Sequence, residues 1–380
     1  MNQDLKKEYI TILKQRYQNA DRRLKSQIIA EAQSNLGYHR KAVIRLLNRP
    51  IFDFKLRGRK LVYTKEVVEL LSEVWKLMGY PCSQKLKSGL PTWLRFIATN
   101  DELKRQVCQM SPATMDRRLK KARAQVGRSK RSGTKPGSLL KNSISIKPLD
   151  HQVRELGMVE ADTVAHCGDS LSGQFIWSLT ITDVLSGWTE NRAMWGKGSA
   201  GVIKAFQDIE RKLPFKLKKI NVDNGSEFLN NYFINYLAKS DKSLSRSRPY
   251  KKNDNCHVEQ KNWSHVRSLF GYERLDGEKM VNLMNEIYCI HSELQNFFIP
   301  QMRLEYKIRK GAKYYRKYTK AQTPYQMIEQ HEGTPMEIKL KLRQMMEQLN
   351  PVMLRQKINL KLKEFSKELS MINDNVRKVA

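Results

Sequence analysis

Apolar residues recur every three to four positions through the first third of the chain, which is the spacing of amphipathic helices. The pattern predicts seven helices, over residues 4–18, 22–34, 39–48, 64–78, 90–97, 101–110 and 111–125. Turn-forming residues such as Gly37 and Pro50 separate them. This part of the chain is therefore predicted to be all-α, with one unit at 1–50 and a second at 51–127.

Each unit ends in a helix with a basic outer face, a pattern typical of helix-turn-helix DNA-binding motifs. An ordinary three-helix bundle is the alternative for the first unit. The basic residues that we expect to contact DNA are Arg40, Lys41 and Arg45 in the first unit and Arg117, Arg118 and Lys121 in the second.

Residues 128–150 show little periodicity and are rich in glycine, proline and basic residues, so they are predicted to form a basic linker. We expect Arg128, Lys130 and Arg131 to contact DNA phosphates, because such contacts need charge but no fixed fold. A tether that serves only to join two domains is the alternative.

Between residues 151 and 275 short apolar runs alternate with amphipathic helical patterns, which predicts an α/β core. Strands are predicted over 156–165, 174–183, 188–195, 217–223 and 243–248. Helices are predicted over 199–211, 226–238 and 254–270. Turn-like segments between the first three strands favour an antiparallel meander, and the whole predicts a five-stranded mixed sheet flanked by helices.

Residues 276–380 are predicted to be mainly helical, with helices over 277–298, 336–347 and 351–376. A stretch at Lys307–Lys320 interrupts the helical pattern and interleaves tyrosines with basic residues. Such a mixture suits contact with nucleic acid through stacking and charge. Contact with another subunit is an equally open interpretation.

The charge balance points to a polyanionic partner. The chain has 70 Lys and Arg residues against 38 Asp and Glu, a net charge of +32. The first 150 residues hold 33 basic and 12 acidic residues, and the other 230 hold 37 and 26, so the surplus is concentrated at the start. We expect nucleic acid, since the basic residues are not confined to one amphipathic helix as they would be in a membrane-surface protein.

The sequence contains no apolar run of 18 residues and no apolar segment near its start, so we expect a cytoplasmic protein of a bacterial, nucleoid-associated kind with no membrane contact. Its five cysteines are widely spaced and odd in number. They are expected to be free thiols, and their spacing relative to histidines does not suit a zinc site.

Three acidic residues form the main candidate site. Asp162 lies in one predicted strand, Asp223 ends another strand just before Asn224-Gly225, and Glu259 lies in a predicted helix with 35 residues between it and Asp223. Carboxylates are the ligands that Mg²⁺ prefers, and two such ions can stabilise both oxygens of an in-line phosphoryl transfer. The three residues therefore suggest a two-metal site.

Three segments resemble DDE transposases of bacterial insertion sequences and retroviral integrases, whose catalytic core has an RNase H-like fold. They are residues 159–163, residues 221–228 and residues 248–262. The resemblance covers about a third of the chain and implies that Asp162, Asp223 and Glu259 are the catalytic, metal-binding triad. It further implies two Mg²⁺ or Mn²⁺ ions per active site.

Residues around the triad are assigned separately. Glu160 is an alternative ligand to Asp162, although the family pattern favours Asp162. Glu227 is expected in the first turn of a helix, where a carboxylate complements the helix dipole, as a supporting residue. The remaining residues expected to contact DNA here are Arg246, Arg248, Lys251, Lys252 and Asn255. A solvated basic loop is the alternative for the four cations, and ordering of the metal site is a second possible role for Asn255.

The resemblance implies a transposase that binds the terminal inverted repeats of a mobile element. It would cleave at the element ends and join the 3′-OH to target DNA. Double-stranded DNA would be its partner, and a homo-oligomer, at least a dimer, would hold two ends together. The alternatives are a nuclease of the same fold without strand transfer, and a non-catalytic helix-turn-helix regulator.

Overall fold

The computed structural model describes residues 3–49, 63–125, 155–223, 225, 227–228, 230–240, 242–247 and 256–379. The chain forms two compact units, Met1–Val62 and Tyr63–Ala380. The predicted linker, 128–150, lies outside the described residues.

The first unit is a bundle of three helices, α1 (Gln3–Gln18), α2 (Arg22–Leu36) and α3 (Arg40–Asn48). Asp21 caps α2, because its Oδ1 accepts the N–H of Leu24 at 2.7 Å. Gly37 ends the same helix in the left-handed conformation, with φ of 65°. The core of the bundle contains Leu13, Ile28, Ile29, Ala32, Val43 and Leu47. The helical prediction for this region is confirmed.

The second unit begins with α4 (Lys65–Leu77), α5 (Ser83–Trp93, followed by a 3₁₀ turn at Leu94–Phe96), α6 (Asp101–Gln109) and α7 (Pro112–Ala124). The prediction of a helix at 90–97 was wrong at its start, since α5 begins seven residues earlier and continues through Gly89 and Pro91. Gly89 serves close packing here, because a Cβ at this position would come within 2.4 Å of the Met78 side chain.

The centre of the second unit is a five-stranded mixed sheet. Its strands are β1 (Met158–Ala165), β2 (Ile176–Asp183), β3 (Thr189–Trp195), β4 (Lys219–Val222) and β5 (Ser243–Arg246). The order across the sheet is β3-β2-β1-β4-β5. β2 is antiparallel to β1 and β3, whereas β1, β4 and β5 run parallel. The predicted meander and mixed sheet are confirmed, and this topology is that of an RNase H-like core.

The helices of the core are α8 (Ser199–Lys212), α9 (Asn231–Lys239), α10 (Cys256–Lys261), α11 (Ser268–Phe270) and α12 (Glu278–Phe298). A π-helical turn at Asn262–Arg267 joins α10 to α11, where the sequence predicted one continuous helix. α9 begins later than predicted, because Asn230 caps it by accepting the N–H of Phe233 at 2.9 Å.

The last region contains two strands that the sequence did not predict, β6 (Leu304–Lys310) and β7 (Lys313–Tyr318), which form a two-stranded antiparallel sheet. The helices α13 (Pro324–Gln330), α14 (Met336–Gln348) and α15 (Pro351–Val379) follow. The region is mainly helical, as expected, apart from this hairpin.

One hydrophobic cluster joins α4–α7 to the sheet and to α8, α9 and α12. Trp93 of α5 donates its indole N–H to the carbonyl of Phe298 at 3.0 Å, in the interior. The helices of the second predicted DNA-binding unit therefore share a core with the sheet. The domain boundaries derived from the sequence stay a prediction.

Two asparagines of α12 cover the edge strand β3. The side chain of Asn285 accepts the N–H of Ala193 at 2.7 Å and donates to its carbonyl at 3.0 Å. Asn296 makes the same pair of contacts with Thr189, both at 3.0 Å. Each amide takes the place of a residue on a neighbouring strand, which satisfies backbone groups of an edge.

Among the described residues, no helix combines the length and the apolar character needed to cross a membrane. The cysteines whose side chains are described, Cys82, Cys108, Cys167 and Cys289, are free thiols, as expected.

Candidate active site

Two of the three candidate acids lie side by side at the centre of the sheet. β1 and β4 run parallel and pair Ala161 with Val222. The next residues along the chain are Asp162, within β1, and Asp223, directly after β4. Because neighbouring strands are about 4.8 Å apart, these two carboxylates project from adjacent positions of the sheet.

Asp162 is held by a neighbour of Glu259. Its Oδ2 accepts a hydrogen bond of 2.6 Å from Nδ2 of Asn262, which is three residues beyond Glu259. Its Oδ1 accepts the N–H of Thr163 at 2.8 Å. Oδ1 of Asn262 is buried, and within the described part of the chain it has no hydrogen-bond partner. An acceptor oxygen is thus available beside the Asp162 carboxylate.

Asp223 begins a tight turn that brings the Glu227 carboxylate close to Asp162 and Asp223. Oδ1 of Asp223 accepts the N–H of Gly225 at 2.8 Å. A Cβ at Gly225 would come within 2.6 Å of the Glu227 carboxylate, so a larger residue here would displace that carboxylate. Glu227 Oε1 in turn accepts the hydroxyl of Thr163 on β1 at 2.6 Å. The expectation that Glu227 lies in the first turn of a helix was wrong, because α9 begins only at Asn231.

Glu160 ties the helix of Glu259 to the sheet. Its side chain is buried, with 2% exposed, and Oε2 accepts the backbone N–H groups of His257 at 2.7 Å and Val258 at 3.0 Å. Glu259 is the next residue and lies exposed on α10. Glu160 thus caps this helix from β1, a role that the sequence analysis missed because nothing in the local pattern distinguishes it from a second ligand.

The pKa values of the acids show that carboxyl groups are crowded together around Asp162 and Asp223. Burial raises the pKa of Asp162 to about 6, with added repulsion from Glu259 and Glu227. Burial also raises the pKa of Asp223 to about 7, with added repulsion from Asp162 and Glu227. For Glu160, burial raises the pKa to about 8 in spite of its two backbone hydrogen bonds. A cation bound here would relieve these penalties.

Within the part of the chain that the structure describes, no group of three or more His, Cys, Asp or Glu side chains is arranged to hold a metal ion. The chemistry of the donors nevertheless fits one. Asp162 and Asp223 offer carboxylate oxygens, and Asn262 offers the unsatisfied oxygen beside them. Oxygen ligands of this kind suit Mg²⁺ or Mn²⁺.

Two substitutions separate a positioning role of Glu160 from metal ligation. Glu160→Gln keeps an acceptor oxygen for His257 and Val258, and we expect its cleavage rate to stay within about threefold of wild type. Glu160→Leu leaves two buried N–H groups without an acceptor, each costing about 1–3 kcal/mol, and displaces Glu259. We expect at least a tenfold loss of rate and a lower Tm. A Glu160→Gln protein that folds normally but is inactive would instead identify Glu160 as a ligand.

The residues predicted to contact DNA are placed as follows. Arg40, Lys41 and Arg45 are exposed on α3, and Arg117 and Lys121 are exposed on α7 with Arg118 half-buried. Arg246 is only 5% exposed within β5, which favours a structural role. Arg128, Lys130, Arg131, Arg248, Lys251, Lys252 and Asn255 lie outside the described residues. Contact with DNA stays a prediction for all of these residues.

The strand order and strand directions, with Asp162 within β1 and Asp223 directly after β4, define an RNase H-like α/β core. Solved structures that match part of this chain include the HTLV-2 integrase catalytic core domain in complex with magnesium. Its trimeric form is 20% identical over 30% of this chain and 68% of that chain, with a TM-score of 0.25. Its dimeric form is 21% identical over 30% and 67%, with a TM-score of 0.24. No role is carried over to this chain from matches at this level.

No protein-family model matches the chain. It is 33% identical over 322 residues to the uncharacterized protein y4rM of Sinorhizobium fredii (strain NBRC 101917 / NGR234), which covers 82% of this chain and 91% of y4rM. The chain therefore belongs to the same protein family as y4rM.

Proposed function

We propose that this protein is a transposase of the bacterial insertion-sequence type. It would bind the terminal inverted repeats of a mobile element, cleave the DNA at the element ends and join the 3′-OH to target DNA. The observation that carries this proposal is the placement of Asp162 and Asp223 on adjacent parallel strands, with the helix of Glu259 capped from the same strand by Glu160.

The clustering of carboxyl groups in this buried place supports metal-dependent chemistry. A partner cation would lower the pKa of a buried carboxyl. Here burial raises the pKa of both aspartates, and neighbouring carboxylates raise it further. Repulsion between neighbouring carboxylates is typical of sites that bind a cation or transfer protons.

In the proposed site Asp162, Asp223 and Glu259 hold two divalent cations, which when bound stabilise the charge that develops on the transferring phosphate. The chain itself supplies position. Asn262 fixes the orientation of the Asp162 carboxylate, and Glu160 fixes the start of α10. In the first step water attacks the phosphodiester and the 3′-OH leaves. In the second that 3′-OH attacks the target phosphodiester and the target 3′-oxygen leaves.

DNA binding follows from charge as well as from the site. A net charge of +32 favours a polyanion, and the exposed basic residues of α3 and α7 are the groups that we assign to the inverted repeats. The assembly that acts would contain at least two copies of the chain, because two element ends have to be joined.

Strand transfer is the direct test. The full chain is incubated with Mg²⁺, a labelled duplex that carries the inverted repeat flanking its gene, and a plasmid target. Uncleaved and pre-cleaved ends are compared. We expect both to yield labelled plasmid, the pre-cleaved end at an earlier time. Cleavage without joining of the pre-cleaved end would indicate a nuclease, and repeat binding without either reaction would indicate a regulator.

A further inference from the structure

The hairpin of β6 and β7 is exposed on both faces. Cross-strand pairing puts Ile308 opposite Tyr315 on one face and Arg309 opposite Tyr314 on the other. Ile308 is 48% exposed, Tyr314 49% and Tyr315 54%. An isolated two-stranded hairpin is only marginally stable in water, and this one presents large apolar side chains without a buried face. A surface of this kind calls for a partner that covers it.

The charge of the hairpin identifies the chemistry of that partner. Residues 304–318 contain six Lys or Arg residues and one acidic residue, Glu305, whose carboxylate pairs with Lys317 at 3.1 Å. Lys317 Nζ also lies 5.5 Å from the ring centre of Tyr306, and the Arg309 guanidinium lies 5.8 Å from that of Tyr314. Cations that alternate with tyrosines suit phosphates and sugars along a nucleic-acid backbone.

The base of the hairpin is attached to the helix of Glu259. Gln301 and Gln322 exchange backbone hydrogen bonds of 2.7 and 3.0 Å, which close the hairpin at its root. The side chain of Gln301 then accepts a hydrogen bond of 2.6 Å from Nζ of Lys261, two residues beyond Glu259. The root of the hairpin is therefore tied to the helix that carries Glu259.

Two occupants have to be compared, a second copy of the chain and duplex DNA. A second copy would bring another chain of charge +32 against a hairpin that is itself basic. Duplex DNA carries one negative charge per about 1.7 Å of its axis. A seven-residue strand is about 23 Å long at 3.3 Å per residue, and a two-stranded ribbon fits the major groove of about 12 Å width. Charge and shape both favour DNA.

We propose that the β6–β7 hairpin is a DNA-binding ribbon that holds target DNA against the active site, a proposal that rests on the proposed function. The choice of target DNA follows from composition. Residues 304–318 contain no Asn or Gln, the side chains that read adenine, whereas their Lys and Arg can bind either phosphates or guanine. Lys, Arg and Tyr contacts to the backbone tolerate any sequence, as binding of varied targets requires.

The test compares two double variants of the full chain. Arg309→Ala/Arg316→Ala removes two charges from the ribbon, and Lys363→Ala/Lys367→Ala removes two exposed charges from α15 as the matched control. Strand transfer from a pre-cleaved element end is measured against the concentration of a duplex target. We expect the ribbon variant to raise the KM for target at least tenfold, with kcat and end affinity within about twofold of wild type. The control should match wild type.

A binding measurement keeps this test independent of catalysis. Fluorescence anisotropy with a random-sequence 30-base-pair duplex is recorded over a salt series in Ca²⁺. Loss of two phosphate contacts should reduce the slope of log affinity against log salt by about 1.8. If the wild-type protein shows no strand transfer but the ribbon variant still has the smaller salt slope, the proposed function is overturned. The ribbon then remains a DNA contact.

Three results would overturn the ribbon proposal. The first is an unchanged KM for target together with an unchanged salt slope. The second is an equal loss of affinity for element ends, which would assign the ribbon to the repeats. The third is a lower dimer fraction in analytical ultracentrifugation of the ribbon variant without DNA, which would assign the surface to a second copy of the chain. A Tyr306→Ser/Tyr315→Ser variant checks the outcome with the charges intact.

Discussion

Single replacement of Asp162 or Asp223 by Asn, or of Glu259 by Gln, is expected to lower the rates of end cleavage and joining at least a thousandfold. The bound cations should stabilise the transition state by several kcal/mol. A loss of about 4 kcal/mol corresponds to a thousandfold lower rate. Binding to the element ends should change little, because these residues supply charge to the metal site and not to the DNA. Rates are measured on the same labelled end duplexes as strand transfer.

Two exposed acids of the core provide matched controls, Asp169→Asn and Glu273→Gln, which should retain wild-type rates. Stability gives a second check. The Asn variants should unfold at a Tm no lower than wild type without metal, because they remove a carboxyl whose ionisation burial disfavours. A triad variant that keeps the wild-type rate would exclude its residue from the site.

Chelation of divalent cations is expected to abolish cleavage and joining. Mg²⁺ or Mn²⁺ should restore both reactions, whereas Ca²⁺ should support DNA binding but neither reaction. The effect should depend on pH, because the metal competes with protons. Burial raises the pKa of Asp162 to about 6 and that of Asp223 to about 7, so both carboxyls are largely protonated below those values. We therefore expect the apparent affinity for Mg²⁺ to rise as the pH rises through this window.

The same shifts set the stability of the metal-free protein. The folded state keeps these protons to a higher pH than the unfolded state, whose Asp carboxyls ionise near 3.9. The free energy of unfolding should accordingly fall as the pH rises from about 4 through about 7, and bound Mg²⁺ should offset this fall. Thermal unfolding with and without Mg²⁺ between about pH 5.5 and about pH 8.5 measures this. A gain in Tm that is the same at every pH, or that survives in Asp223→Asn, would contradict it.

Much of the core was predictable because local patterns agree with the fold there. The apolar runs that became β1 to β5 are short and bounded by turn residues, and their order suggested the meander. The same pattern placed Asp162 in one strand and Asp223 at the end of another. The chemistry of the site was suggested by the three carboxylates and made specific by a resemblance, and the metal ligands remain a prediction.

What the sequence did not reveal depends on contacts between distant residues. Glu160 meets His257 and Val258 about a hundred positions away, and no periodicity encodes that contact. Glu227 bonds Thr163 from a position beside Gly225, where a Cβ would displace its carboxylate. The β6–β7 hairpin escaped prediction because exposed strands lack the alternation of buried and polar residues from which strands are recognised.

The amides of Asn285 and Asn296 restrict how copies of the chain can join. They occupy the backbone groups of Ala193 and Thr189 that a strand from another molecule would need. Two copies therefore cannot merge their sheets across β3 unless α12 first gives up these contacts. This edge of the sheet is thereby closed to strand pairing between copies of the chain, and a contact between copies at β3 would use the surface of α12 instead.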